Sequence, residues 1–231
     1  MVAQAASGTM ALCLVGAGNM GGAMLKGWLE AGTDPASLTV LDPAPPEAMA
    51  EMLRSYGVVH AVSADDVGPV DFVLVAVKPQ IIGVVLEGLS PLIGPQTVLA
   101  SVAAGTRIAQ LETPFGGKPA RIVRVMPNTP ATIGQAISVC VANDAVGVAQ
   151  RDTITSLLEA IGDVAWVEDE SLIDAVTAVS GSGPAYVFYL AEALAAAGEA
   201  AGLPVALASQ LAVATVAGAG NLLKQSDEDA A

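Results

Sequence analysis

The run Gly16-Ala17-Gly18-Asn19-Met20-Gly21 sets three glycines at the spacing GxGxxG. By itself this is only a glycine-rich turn. Here it follows an apolar run, residues 11–15, and opens an amphipathic stretch, residues 20–31, so it reads as the turn between a strand and a helix. In that context the first glycine permits a tight turn and the second lets the backbone approach a pyrophosphate. The third lets the helix pack close to the strand. The free N–H groups at the helix start add a partial positive charge that suits phosphate. The chemistry indicated is dinucleotide binding, with Gly16, Ala17, Gly18, Asn19, Met20 and Gly21 as candidate contacts.

Asp42 closes the next apolar run, residues 38–41. A carboxylate there can accept a hydrogen bond from the ribose 2′-hydroxyl of NAD and repels the 2′-phosphate of NADP. Pro43, Ala44, Pro45 and Pro46 follow, with no Arg or Lys to hold that phosphate. The cofactor is therefore read as NADPH or NADH, leaning to NADH. The competing role for Asp42 is a cap on the following turn.

Other chemistries find little support. The single histidine, His60, lies beside valines and reads as structural. Cys13 and Cys140 each sit in an apolar run and read as buried thiols rather than a disulfide. No metal-ligand spacing occurs, so no metal site is expected. The 23 acidic against 9 basic residues give a net charge of −14, which argues against nucleic acid as a partner.

The elements that must position these groups come from the apolar pattern. Short β-branched runs at residues 11–15, 38–41, 58–60, 72–77, 97–102 and 121–125 alternate with helical stretches such as residues 20–31 and 47–56. Nearly continuous apolar strands separated by helices mark a parallel sheet covered on both faces. Residues 137–141 and 164–167 read as further strands at its far edge. Beyond Trp166 the strand signals vanish. Glu168-Asp169-Glu170 opens a helical region whose two long helices, residues 185–201 and 205–224, are separated at Gly202 and Pro204. The expected fold is α/β: a Rossmann-type doubly wound, mainly parallel sheet over residues 1–166, then an all-helical dimerisation domain over residues 167–231.

Residues 203–223 are apolar and long enough to span a bilayer. They also contain Ser209, Gln210, Thr215 and Asn221, and no aromatic belt flanks them, so a packed helix is the reading. Residues 1–9 lack the positive start of a secretory leader. A cytoplasmic location without a membrane partner is expected. The two alanine-rich helices offer more apolar surface than one chain can cover, which points to a homodimer or larger homo-oligomer.

Three more motifs join the glycine-rich turn. Val75-Ala76-Val77-Lys78-Pro79-Gln80 ends the fourth strand, and Arg124-Val125-Met126-Pro127-Asn128-Thr129-Pro130 ends the sixth. Ser180-Gly181-Ser182-Gly183-Pro184-Ala185-Tyr186-Val187-Phe188 follows the change of pattern. With the opening GAGNMGGAM, the set resembles the pyrroline-5-carboxylate reductases in order and spacing along nearly the whole chain. The resemblance implies hydride transfer from the nicotinamide to the imine carbon of 1-pyrroline-5-carboxylate, giving L-proline in the last step of proline biosynthesis. It implies cofactor contacts from Ala76, Val77, Lys78 and Pro79, and from Ser63, which stands where the family often carries asparagine. Ser180, Gly181, Ser182 and Gly183 are implied to border the nicotinamide and the substrate. Thr129, Ser182 and Asp227 are the candidate catalytic groups. For Thr129 and Ser182 the alternative is the capping of turns and a helix start.

Family members continue past the second long helix to a Ser-Pro-Gly-Gly-Thr-Thr type loop, which this sequence does not reach. A dinucleotide-binding protein without turnover, or a truncated pseudo-enzyme, is therefore the alternative carried forward. A β-hydroxyacid dehydrogenase is a weaker one, because the helix beginning at Pro184 lacks the lysine and asparagine such enzymes need. Tyr186, Phe188 and Tyr189 read as core or dimer packing rather than substrate contacts.

Overall fold

The computed structural model describes residues 10–116 and 120–226. Two compact units divide between Thr177 and Ala178. The first is built on an eight-stranded sheet in the order β3-β2-β1-β4-β5-β6-β7-β8. Its strands are β1 (Leu12–Val15), β2 (Leu38–Leu41), β3 (Val59–Ala61), β4 (Phe72–Val75), β5 (Val98–Ser101), β6 (Arg121–Met126), β7 (Ala136–Ala142) and β8 (Gly162–Trp166). The first six run parallel. β7 is antiparallel to β6, and β8 is parallel to β7.

Alternation along the strands separates two cores. Leu12, Leu14, Leu38, Val40, Phe72 and Leu74 face one side, where Met24, Leu25 and Trp28 of α1 (Asn19–Glu30) cover them. Cys13, Val15, Val73, Val75 and Leu99 face the other, against Ile82 and Leu86 of α3 (Ile82–Gly88) and Leu111 of α4 (Ile108–Glu112). Both faces are therefore dry, which is why these strands read as unbroken apolar runs. Between them α2 (Glu47–Tyr56) ends on Gly57, whose φ of 70° supplies a left-handed cap. α5 (Val148–Glu159) crosses from β7 to β8, and Trp28 Nε1 donates to its Leu157 carbonyl at 2.8 Å.

The first unit closes with a short helix, α6 (Ile173–Val176). Ile173 is fully buried against Val139 and Val141 of β7, so the start of the helical region belongs to the sheet unit. A wider π-helical turn, Thr177–Gly181, leads out of it.

The second unit is the pair α7 (Gly183–Ala200) and α8 (Val205–Gln225). They pack where both sequences are small: Ala208 and Ala212 are buried, and a Cβ on Gly198 would meet the Ala208 Cβ at 3.2 Å. Gly202, with φ of 98°, turns the chain between them. Much of their remaining apolar surface is exposed, including Tyr186, Phe188 and Tyr189. These three aromatics are not core residues of the chain. By length and composition α8 would suffice to cross a membrane, with a mean hydropathy of 1.4.

Candidate functional site

In a parallel sheet all strands present their C-terminal ends along one edge, and the crevice opens where neighbouring strands send their connections to opposite faces. That point lies between β1 and β4, because β1 pairs with β2 on one side and β4 on the other. The glycine-rich turn follows β1, Asp42 follows β2, Ser63 follows β3, Ala76 to Pro79 follow β4, and Thr129 follows β6. The sheet thus gathers every candidate of the first unit onto a single edge.

The three glycines differ in what they tolerate. Gly16 has φ of 92°, and a Cβ there would meet the Ala76 carbonyl oxygen and the Val77 side chain, each at 2.9 Å. At Gly21 a Cβ would collide with the Gly16 carbonyl oxygen, so this glycine lets α1 sit tight against the turn. Gly18 is the opposite case, since nothing lies within 4 Å of a Cβ built on it. Its backbone is extended, with φ −72° and ψ −163°, and its lack of a side chain leaves open space at the start of α1. No side chain caps that helix, so its first N–H groups are available to an anion. The cradle fits a dinucleotide pyrophosphate.

Asp42 is fastened to this turn. Its Oδ2 accepts the Ala17 N–H at 2.7 Å and its Oδ1 accepts the Ala44 N–H at 2.9 Å. The carboxylate therefore does cap the following turn, and it also braces the glycine-rich turn from β2. His60 Nε2 lies 2.8 Å from the Asp42 carbonyl oxygen, so the ring donates there and holds the end of β2. Two exposed surface pairs lie on the flanking helices α1 and α2. Arg54 pairs with Glu47 at 3.3 Å, and Lys26 with Glu30 at 3.6 Å.

Ser63 begins a 3-10 turn, Ala64–Asp66, in a reciprocal cap. Its hydroxyl accepts the Asp65 N–H at 3.3 Å and its own N–H donates to Asp66 at 3.2 Å. The strand β4 stops at Val75, two residues short of the apolar run. The Ala76 N–H still bonds the Val15 carbonyl at 2.8 Å, after which Lys78 starts a 3-10 turn over Pro79–Ile81. Lys78 is exposed. Thr129 is exposed at the head of another such turn, Thr129–Ile133, which packs beside α1. Asn128 fixes that turn by accepting the Ile137 N–H at 3.0 Å through Oδ1.

In the second unit, Ser180 and Gly181 lie in the π-helical turn, and Ser182 and Gly183 open α7. The Ser182 hydroxyl makes no helix-capping bond, which removes the capping explanation for that residue. Asp227 lies outside the described residues. Cys13 and Cys140 are buried free thiols pushed up to about 12 by burial, so neither supplies a thiolate near neutrality.

Sequence reasoning passed over the loop after β5. Ser101, Val102, Ala103, Ala104, Gly105 and Thr106 leave the sheet beside Ala76, and the Val102 N–H bonds the Val75 carbonyl at 3.0 Å. Gly105 turns it with φ of 73°. The signal available was positional: a strand end with a glycine four residues on.

Residues 170–231 match a family model described as pyrroline-5-carboxylate reductase dimerisation. Residues 11–105 match one described as NADP oxidoreductase, coenzyme F420-dependent. The pyrroline-5-carboxylate reductase of Pseudomonas aeruginosa is 39% identical over 224 residues, covering 96% of this chain and 81% of that one. A pyrroline-5-carboxylate reductase structure from Coxiella burnetii superposes with a TM-score of 0.89 at 32% identity, covering 96% of this chain and 82% of that one. A pyrroline carboxylate reductase of Plasmodium falciparum, solved with NADP bound, gives a TM-score of 0.81 at 29% identity, covering 95% and 80%.

Proposed function

The chain belongs to the pyrroline-5-carboxylate reductase family, and on that premise we propose that its glycine-rich sheet edge and residues 180–183 carry the reaction. The reaction is the NAD(P)H-dependent reduction of 1-pyrroline-5-carboxylate to L-proline. The observation that carries the reading is the open, uncapped start of α1 at Gly18, placed at the switch point between β1 and β4.

When bound, the reduced dinucleotide supplies a hydride from its nicotinamide ring. The chain's own work is to hold and orient. The first N–H groups of α1 receive the pyrophosphate, with Gly18 leaving room for it. Ala76, Val77, Lys78 and Pro79 flank the cofactor's middle. Ser63 stands toward its adenosine end, where the asparagine frequent in the family is replaced. Ser180, Gly181, Ser182 and Gly183 border the substrate. A protonated cyclic imine is already electrophilic, so positioning against the nicotinamide face suffices without a general acid–base pair. Thr129 and Ser182 are the hydroxyls offered for hydrogen bonds to the ring. In this reading the sheet unit is the dinucleotide-binding domain and the α7–α8 pair is the dimerisation domain of a homo-oligomer. The acidic chain acts in the cytoplasm.

NADH is the preferred cofactor in this reading. Two features support it: the Asp42 carboxylate and the four residues after it without a cation. The test compares kcat/KM for NADH and NADPH with 1-pyrroline-5-carboxylate as substrate. NADH is expected to win, and Asp42→Asn, which removes the charge but keeps an Oδ acceptor for Ala17, should move the ratio toward NADPH by roughly tenfold. A wild-type preference for NADPH, unchanged by the substitution, would refute the preference. Cofactor binding without any proline formation would instead favour the non-catalytic alternative. The dehydrogenase alternative gains nothing, since α7 carries no lysine.

A further inference from the structure

Among the described residues most buried side chains are apolar, and Arg124 is a buried charge that links two parts of the first unit. It lies on β6 in register with Ser101 of β5, and its side chain is 6% exposed. A guanidinium so placed is costly unless it is paired. Its partner is Glu170, whose Oε1 accepts from Arg124 Nη1 at 2.9 Å. The same oxygen accepts the Ile108 N–H at 2.8 Å. Ile108 is the first residue of α4, at the end of the loop that leaves β5 beside Ala76. Glu170 itself opens a 3-10 turn held by Asp169, whose carboxylate accepts the Ser171 N–H at 2.8 Å. Three residues later, buried Ile173 plugs the same segment into the sheet face.

We propose that Glu170, held by Arg124, is a positioning residue that sets the loop between β5 and α4 against the dinucleotide-binding edge. The loop is tied to β4 at its start by the Val102 N–H, and Ala103 and Thr106 are buried within it. The Ala103 N–H donates to Ser101 Oγ at 3.3 Å, and the Thr106 N–H to the Ala103 carbonyl at 3.3 Å, both long bonds. Without the Glu170 oxygen, the first amide of α4 loses its partner, and the far end of the loop is left to the local cap from the Arg107 N–H to Gln110 Oε1 at 2.9 Å. The inference rests on reading the glycine-rich edge as the nucleotide site. It adds that the segment leading toward residues 180–183 shares an ion pair with the loop flanking Ala76.

The readout is equilibrium binding of NADH and NADPH, followed by protein fluorescence, so it does not depend on imine reduction. Glu170→Gln keeps an oxygen for Ile108 but loses the charge. Arg124→Lys keeps the charge but loses the planar fork. Each is expected to weaken dinucleotide binding roughly tenfold, the weight of one charge-assisted hydrogen bond. Glu170→Asp, which retains both partners' chemistry, should recover part of the loss. If both variants melt like the wild type and bind dinucleotide equally well, the proposal is overturned. If either fails to fold, hydrogen exchange on the wild-type protein decides. The amide of Ile108 and those of residues 103–106 should gain protection when dinucleotide is added, and an unchanged pattern there overturns the proposal. A wild-type chain that binds dinucleotide but reduces no imine counts against the reductase reading and leaves this one standing.

Discussion

At the scale of single residues, the glycines of the turn separate folding from binding. Gly18 has a backbone conformation open to any residue and empty space where a Cβ would go. Gly18→Ala is therefore expected to leave stability within about 0.5 kcal/mol, because no fold contact is disturbed. The new methyl would stand in the open space assigned to the pyrophosphate, and dinucleotide affinity should fall roughly tenfold or more. Gly21→Ala predicts the reverse order of effects. Its Cβ meets the Gly16 carbonyl, so α1 must shift, at a cost of about 1–3 kcal/mol. Paired thermal melts and dinucleotide titrations on the two variants check this. Equal losses of stability in both would mean that Gly18 serves the fold alone. The pattern GxGxxG was legible in sequence, but the division of labour was not, because it depends on which atoms surround each Cα.

At the scale of elements, the apolar runs located each strand, and the ends moved for physical reasons. β4 halts at Val75 because the 3-10 turn that Pro79 opens draws the chain off the sheet. The direction of β7 was not legible from apolar pattern, since a strand buried on both faces looks the same either way. Connection length did hold the clue: the stretch from β6 to β7, only residues 127–135, is too short for the crossover a parallel pair needs. The 3-10 turns at Ser63, Lys78 and Thr129 were invisible as elements, although their caps and prolines were in view. Burial of whole strands also governs the two thiols, Cys13 in β1 and Cys140 in β7. Burial raises each from 9.0 to about 12, so between those values the unfolded chain loses protons that the native chain keeps. Their contribution to stability is complete below pH about 9 and is lost as pH rises toward about 12. Denaturant titrations across that window should show declining stability, and Cys140→Val should flatten part of the decline. An unchanged slope in the variant would show that other groups cause it.

At the scale of the molecule, charge and apolar surface are kept apart. The chain carries a net −14, yet α7 and α8 hold only Glu192, Glu199 and Lys224 among their charged residues. Their exposed side chains include Phe188 at 68%, Tyr189 at 71% and Val213 at 59%. A surface of that kind is either buried against a second copy or placed in lipid, and among the described residues α8 is the helix long and apolar enough for the second. The match of residues 170–231 to a dimerisation model supports the first. Acidic subunits repel one another at low salt, so an apolar association should tighten as salt screens that repulsion. Light scattering in detergent-free buffer is expected to give a dimer or larger assembly, more complete at high salt. Val213→Asp places a charge on the exposed part of α8 and should shift the distribution toward monomer while far-ultraviolet dichroism keeps its helical content. A wild-type protein that is monomeric throughout, or that stays with the membrane fraction until detergent is added, would overturn the assignment of α7 and α8 to self-association.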